Sequence, residues 1–417
     1  MHRRPLLVLI ALLVIAPGAA AFEGGVLRVG TSGDYAPFSL ATGEDPIVFE
    51  GFDVAVARAY AEERGLVLIL ERFRWPHLIR DLEADRFDLA MSGVTIVPER
   101  SAVGRFSVPV VETGAMVIAR QPERFPDLAA LNRSIIRIGV NAGGYLERVA
   151  GTRFRRATVV AIPDNAAVLE ALLSADVHAV LTDTAEAALW LEAGEGLTLL
   201  GPFTRDRKAY LVRADRPGLA ADLDRWLLER EADGSLDALR RRYLGDNAGR
   251  AVAEPLAALL AAVDERLALM PIVGVAKRRE GIALVVERRE AAVLAATVEA
   301  VREAADAAKT SPPPRDLVLA AFRAQIEAAK QVQWSAIKDS QYERPEVVPG
   351  VDAVLRPALL RIGEKIARLI VALPRDLDRD AVREAAHDQL RTPRLTETSK
   401  IAIADSITRL SYAPRDQ

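Results

Sequence analysis

The chain has 417 residues, half of them hydrophobic, and a formal net charge of −3. That length predicts two or three domains with substantial cores, and the balanced, slightly acidic charge excludes nucleic acid as a partner. Without cysteine there is no disulfide, thiol nucleophile or cysteine metal site, and the four histidines, His2, His77, His178 and His387, lack metal-ligand spacing.

Residues 1–21, MHRRPLLVLIALLVIAPGAAA, combine a basic start, an apolar stretch and an Ala-x-Ala end. They predict a secretory signal cut near Ala21. The apolar run Leu6–Ala16 is short for a membrane span. No other segment is long and apolar enough, so the mature chain is expected to be periplasmic or secreted and free of the membrane.

From Val26 to about Leu244, β-rich runs alternate with helical patterns. The strands expected are VLRVGTS, LVLILERF, FDLAMSG, GAMVIAR, IIRIGVN, TVVAIP, HAVLTD and KAYLVRA. Between them lie helices such as FDVAVARAYAEERG and NAAVLEALLSA. This alternation predicts an α/β fold with mostly parallel sheets, whose sites lie beyond the carboxyl ends of strands.

Two such ends carry chemistry. MSGVTIVPERSAVGRFSVPVVETG (91–114) ends a strand at Ser92-Gly93. Free backbone N–H groups, the Thr95 hydroxyl and Arg100 then follow within one turn and a short helix start, a set suited to a carboxylate. HAVLTDTAEA (178–187) runs from a buried strand into a helix starting near Thr184. That places Asp183 and Glu186 on one side of its first turn. Acids at a helix start ordinarily cap it.

From about Ala251 the strands stop, and Ala, Leu, Arg and Glu recur at helical spacing. Breaks at 280–282, 310–316, 344–350 and 373–376 divide an all-helical bundle. YLGDNAGRA (243–251) reads as the linker. The stripe 259, 263, 266, 270, 273, 277 places Arg266 and Lys277 on one apolar face, about 16 Å apart along a straight helix. The stripe 282, 285, 289, 293, 296 turns Arg289 inward, and 319, 322, 326, 329, 333 does the same for Gln333. Any one of these could snorkel at a bundle end. Uncompensated buried cations cost several kcal/mol each, so a cationic cavity calls for an anionic occupant or water.

The run 91–114 resembles the carboxylate-binding segment of periplasmic amino-acid-binding proteins. That implies two lobes joined by two hinge strands, a second lobe at about 120–205, and Arg100 as the carboxylate clamp. With TSGDYAPFS (31–39), GFDVAVARAYAE (51–62), RWPHLIRDLEADRFDLAMSGVT (74–95), LTDTAEA and RKAYLVRAD (207–215), residues 25–245 look like cyclohexadienyl dehydratase. Enzymes of that family use the solute-binding fold to convert prephenate or arogenate to phenylpyruvate or phenylalanine. The resemblance implies Glu186 as proton donor with Asp183 beside it, and Arg100 and Lys208 as cationic partners. It sets Ser92 and Thr95 in the binding turn, with Trp75 and Tyr35 walling the ring. One departure stands out: GVNAGGYLERVA (139–150) has Tyr145-Leu146 where these dehydratases carry Thr-Asn.

DERLALM, VAKRRE, RREAAVL, FRAQIEAAKQVQW and LRPALLRIGEKI resemble the exported, all-helical class of chorismate mutase, across roughly 252–412. The resemblance implies Arg266, Arg289 and Arg356 on the two carboxylates of chorismate, Lys277 and Gln333 facing the ether oxygen, and Glu290 at the ring hydroxyl. Val286 falls where the family has Asp. The joint expectation is an exported bifunctional enzyme. A type II, two-lobed periplasmic-binding-protein-like domain (22–246) would be followed by an all-α mutase domain (252–417). Its partners would be the small molecules chorismate, prephenate and arogenate; neither resemblance implies a cofactor or metal, and a homo-oligomer is left open. Two alternatives stand beside it. Tyr145-Leu146 keeps open a non-catalytic binding or sensing module, and Val286 keeps open a degenerate dimerisation bundle.

Overall fold

The computed structural model describes residues 25–43, 46–120, 124–245, 253–339 and 347–412. The expected signal segment and most of the linker, from residue 246 on, lie outside them.

Two five-stranded sheets carry the α/β half. The first has the order Val67–Arg72, Val26–Thr31, Leu89–Ala90, Leu211–Arg213, Gly104–Phe106. Its first three strands are parallel, and Leu211–Arg213 is antiparallel to both neighbours. The second repeats the plan: Thr158–Ile162, Arg137–Asn141, Ala179–Asp183, Ala115–Arg120, Leu197–Leu200. Here Ala115–Arg120 is the antiparallel member. In each sheet, then, the antiparallel strand is the one that has just crossed from the other lobe. The crossings form a two-stranded ribbon, Val111–Thr113 against Asp206–Lys208.

That ribbon corrects one expectation. KAYLVRA does not form a single strand. Lys208 ends the hinge strand and Leu211 begins the sheet strand, with buried Ala209-Tyr210 re-aiming the chain between lobes. Ala179–Asp183 is buried at all five positions, as a strand covered on both faces should be.

The described residues from 253 onward hold no strand. Their α-helices are Pro255–Ala268, Met270–Arg279, Glu287–Ala307, Arg315–Lys338, Arg356–Val371, Arg379–Gln389 and Glu397–Ser411. The molecule is thus a two-lobed α/β unit followed by a helical region, the fold class expected. Two stripes are corrected. The face expected to run unbroken over 259–277 divides at Leu269, because Pro271 in the first turn of the next helix has no N–H to continue the ladder. The stripe from 282 begins too early: Ile282–Val286 precede the helix, which starts at Glu287, and Val285 is exposed.

The helices pack on the first lobe. One contiguous apolar cluster joins Leu27, Phe52 and Trp226 of that lobe to Leu260, Val263, Ile366 and Ile370 of the helices. Within this seam Glu265 accepts from Ser101 Oγ at 2.8 Å and pairs with Lys365 Nζ at 2.5 Å. Lys365 also donates to the Phe106 carbonyl at 3.1 Å. Arg361 bonds the Ala102 carbonyl at 2.7 Å, and Arg368 pairs with Asp224 at 2.8 Å.

Two candidate active sites

The first site lies between the lobes, at the strand ends where the sequence points. Arg100 sits in the short helix Pro98–Ser101, buried. Its Nη1 donates to the Thr95 carbonyl at 3.0 Å, and its guanidinium lies 4.9 Å from the Trp75 ring centre. Burial, with help from Arg148, lowers its pKa to about 10, so it stays cationic at neutral pH. Lys208 donates to Thr95 Oγ1 at 3.0 Å and reaches Asp183 Oδ2 at 3.1 Å across the cleft. It also lies 5.3 Å from the Tyr35 ring centre.

Asp183 does two things at once. One oxygen caps helix Thr184–Glu192, accepting from Ala185 N at 3.0 Å and Glu186 N at 3.3 Å. The other accepts from the Tyr35 hydroxyl and meets Lys208. Capping is therefore real, and it aims the free oxygen at the opposite lobe.

Glu186, in the first turn of that helix, is buried. Asn165 Nδ2 donates to its Oε1 at 2.7 Å, and Thr182 Oγ1 lies 2.6 Å from its Oε2. Burial is the main force holding its carboxyl well above the ordinary range. The nearby Asp183 charge adds to this, and the Thr182 and Asn165 hydrogen bonds oppose it. The site thus sets an acid biased toward its protonated form in one cavity with two cations.

Asp34, Tyr35, Trp75, Thr95, Arg100, Glu186 and Lys208 line a common cavity of about 60 Å³. The lobes meet closely around it. Asn165 donates across to the Asp34 carbonyl at 3.1 Å, and Arg148 pairs with Glu99 at 2.6 Å. Gly143, at φ +71°, lies so near Pro76 that a Cβ there would collide with it. Ser92 stays below the cavity, bonding the Ser32 hydroxyl at 2.8 Å; it braces the end of the first strand instead of lining the cleft.

Tyr145 and Leu146 also line the cavity, and the Tyr145 hydroxyl donates to Asp206 at 2.7 Å. The amide absent at 145–146 has counterparts that sequence reasoning missed: Asn165 and Asn141 both line the cleft. Both sit at or just past carboxyl ends of strands, so the strand-end rule could have found them. Asp206, on the hinge, had no such signal.

The second site is a cavity of about 420 Å³ within the helices. Arg266, Lys277, Arg289, Glu290, Gln333 and Arg356 all line it, as does Val286. Five helices and the short turn before Glu287 bring these distant residues together. Arg266 and Gln333 are buried, and Arg266 Nη1 and Gln333 Oε1 meet no hydrogen-bond partner among the described residues. An unpaired buried polar atom costs about 1–3 kcal/mol. Burial lowers the Arg266 pKa to about 10, leaving it charged. Gln333 Nε2 faces Met270 Sδ at 3.4 Å, and a half-turn of the amide exchanges its donor and acceptor ends.

Lys277 donates to the Leu284 carbonyl at 2.9 Å; burial, then Arg356 nearby, lowers its pKa. Arg356 pairs with Asp352 one turn before it, and Glu290 pairs with Lys330 at 2.8 Å. Arg289 differs from expectation. It lines the cavity but is exposed, because it stands in the first turn of its helix with no preceding helical turn to cover it.

The two sheets of like order, the antiparallel crossing strands and the cleft between them define a two-lobed solute-binding protein. The family described as bacterial extracellular solute-binding proteins, family 3, matches residues 27–246, more than half of the chain, and the chain belongs to it. Membership implies export to the periplasm and a small solute in the cleft; no helix among the described residues is long and apolar enough to cross a membrane. Over 227 residues the chain is 35% identical to the cyclohexadienyl dehydratase of Pseudomonas aeruginosa, covering 53% of this chain and 84% of that one. It is 25% identical over 225 residues to the L-cystine-binding protein TcyJ of Escherichia coli, covering 54% and 84%. Among solved structures, the ancestral amino acid-binding protein AncCDT-1, a precursor of cyclohexadienyl dehydratase, aligns with a TM-score of 0.50 at 28% identity. That alignment covers 53% of this chain and 96% of the other.

Proposed function

We propose that the chain is an exported bifunctional enzyme that rearranges chorismate to prephenate in its helical cavity and dehydrates prephenate, or arogenate, in its interlobe cleft. For the cleft, support comes from the 35% identity to a cyclohexadienyl dehydratase and from a buried acid, its pKa raised by burial, that shares a cavity with Arg100 and Lys208. Prephenate must lose hydroxide and carbon dioxide together. Glu186 gives its proton to the departing hydroxyl, which leaves as water while the ring C–O bond breaks. The pair from the breaking bond to the carboxylate carbon enters the ring and makes it aromatic. No base is needed, and water reprotonates Glu186. Arg100 and Lys208 hold carboxylates, Lys208 exchanging Asp183 for the substrate, with Trp75 and Tyr35 against the ring. One well-placed acid is the main catalytic requirement.

The observation that carries the mutase half is the cavity itself. Six residues named from sequence line it, and the buried Arg266 and Gln333 each offer an unpaired polar atom. In chorismate rearrangement one C–O bond breaks as one C–C bond forms, without proton transfer. A site needs only to hold two carboxylates in the folded conformer and stabilise charge on the ether oxygen. Arg266, Arg289 and Arg356 would hold the carboxylates. Lys277 and the turned amide of Gln333 would face the ether oxygen, and Glu290 the ring hydroxyl.

The test is to supply the purified chain with chorismate or prephenate and follow phenylpyruvate by absorbance. Both substrates should yield it. Prephenate bound without turnover would leave the α/β half a binding module. Chorismate left untouched while prephenate reacts would leave the helices a non-catalytic bundle.

A further inference from the structure

The helical half does more than pack against the first lobe: it grips the hinge. In the ribbon, Arg207 stands opposite Glu112, and Lys208 opposite Val111. Successive side chains of a strand point to opposite sides. Asp206 and Lys208 accordingly face the cleft, where they meet Tyr145 and Asp183. Arg207 faces away, toward the helices, and is buried there. Its Nη1 donates to Asp264 Oδ2 at 2.8 Å, and its Nη2 bonds the Gln389 backbone carbonyl and, at 2.9 Å, its side-chain oxygen.

Asp264 is itself held rigidly. Its other oxygen accepts from Arg391 N, Thr392 N and Thr392 Oγ1, each at 2.8 Å. The partner hinge strand is fastened in the same way, with Glu112 paired to Arg391 at 2.5 Å. Both strands about which the lobes must pivot are thus tied to a domain that contributes nothing to the cleft lining.

We propose that Arg207 is a positioning residue for the cleft. Anchored by Asp264 and Gln389, it fixes the hinge strand so that its neighbours Asp206 and Lys208 stand opposite Tyr145 and Asp183, and it sets how the acid-bearing lobe meets the lobe of Arg100. The catalytic part of this rests on the dehydratase function proposed above; the mechanical part does not. A misplacement of about 1 Å at a reacting centre can cost 100-fold in rate.

The experiment uses the full chain, which has no native cysteine. Spin labels at Glu83→Cys in the first lobe and Glu170→Cys in the second, both exposed, report the interlobe distance by pulsed resonance. Arg207→Gln should broaden and lengthen that distance and lower kcat for prephenate by about 10- to 100-fold. The conservative change Arg207→Lys, long enough to keep a charged contact with Asp264, should retain much of both. Should Arg207→Gln fail to fold, Asp264→Asn alone breaks the same contact from the other side. An unchanged distance distribution overturns the proposal, as does a loss of rate in Arg207→Lys as large as that in Arg207→Gln. If the parent chain binds prephenate without turning it over, the dehydratase function fails, and the distance measurement still decides the role of Arg207.

Discussion

Replacing Glu186 by Gln removes one titrating proton and little else. The Gln carbonyl can accept from Asn165 Nδ2, where Glu186 Oε1 does so now at 2.7 Å. Its amide can donate to Thr182 Oγ1, now 2.6 Å from Oε2. Gln thus copies the protonated acid without being able to give its proton away. Dehydration of prephenate should fall by about 10²–10⁴, the usual worth of a general acid. The dissociation constant should stay within a few-fold, since Arg100 and Lys208 are untouched. Stability should move the other way. The folded-state pKa lies above the ordinary 4.5, so on raising pH the unfolded chain releases this proton first. The native state then loses about 1.4 kcal/mol per pH unit until the folded carboxyl ionises too. Gln escapes that loss. Glu186→Gln should therefore be the more stable protein at pH 7.5, with the gap closing toward pH 4. Urea unfolding followed by tryptophan fluorescence, alongside phenylpyruvate formation, measures both. A variant with near-parental kcat, or one less stable than the parent at pH 7.5, would refute the protonated-acid role.

Three further outcomes follow from the geometry. Arg266→Met should abolish chorismate rearrangement while leaving the melting temperature unchanged or raised, because it removes a buried charge that has no ion pair among the described residues; a calorimetric melt and a chorismate-consumption assay check both halves. Val286→Asp should stabilise the chain by about 1 kcal/mol, since Val286 is the N-cap of helix Glu287–Ala307 and offers no side-chain cap; it also brings a polar group to the cavity wall, and a lowered melting temperature would contradict it. Lys365→Met should cost about 3–5 kcal/mol in urea unfolding by stranding Glu265 in the seam between the halves; a cost below 1 kcal/mol would mean that Glu265 finds water there.

Much of this molecule could be read from spacing. Helix starts at Phe52, Pro98 and Thr184 fell where capping and apolar runs put them, because those signals are local. The cleft residues were legible for the same reason: Thr95, Arg100, Asp183 and Glu186 sit at strand ends, which α/β folds turn toward ligands. What escaped were features set by contacts distant in sequence. Asn165 matters because it meets Glu186 from another strand end. Ser92 looked like a ligand-binding hydroxyl, but its partner is Ser32, just past the end of the first strand. Stripe analysis put Arg266 and Gln333 on inward faces, where both are buried, yet it treated helices as continuous. It therefore carried Arg289 into the core, although the helix begins just two residues before it and leaves it exposed.

The contrast between the two cavities is one of proton supply. In the cleft, an acid whose pKa burial raises shares its cavity with cations, which suits a reaction that must protonate a leaving hydroxyl. In the helical cavity, the buried end presents Arg266 and Gln333, neither of which can act as a proton donor with a pKa near neutrality. That suits binding and reshaping an anion. The two kinds of environment stand back to back. Asp264 grips the hinge, Glu265 holds Ser101 next to Arg100, and Arg266 enters the helical cavity. Three successive residues of one helix thus serve the hinge, the seam and the second site. Helical periodicity permits this, since consecutive side chains are about 100° apart around the axis. Two domains strung on a loose linker would have no reason to share a helix turn in this way; here the shared apolar cluster and the buried charge pairs make them one mechanical body.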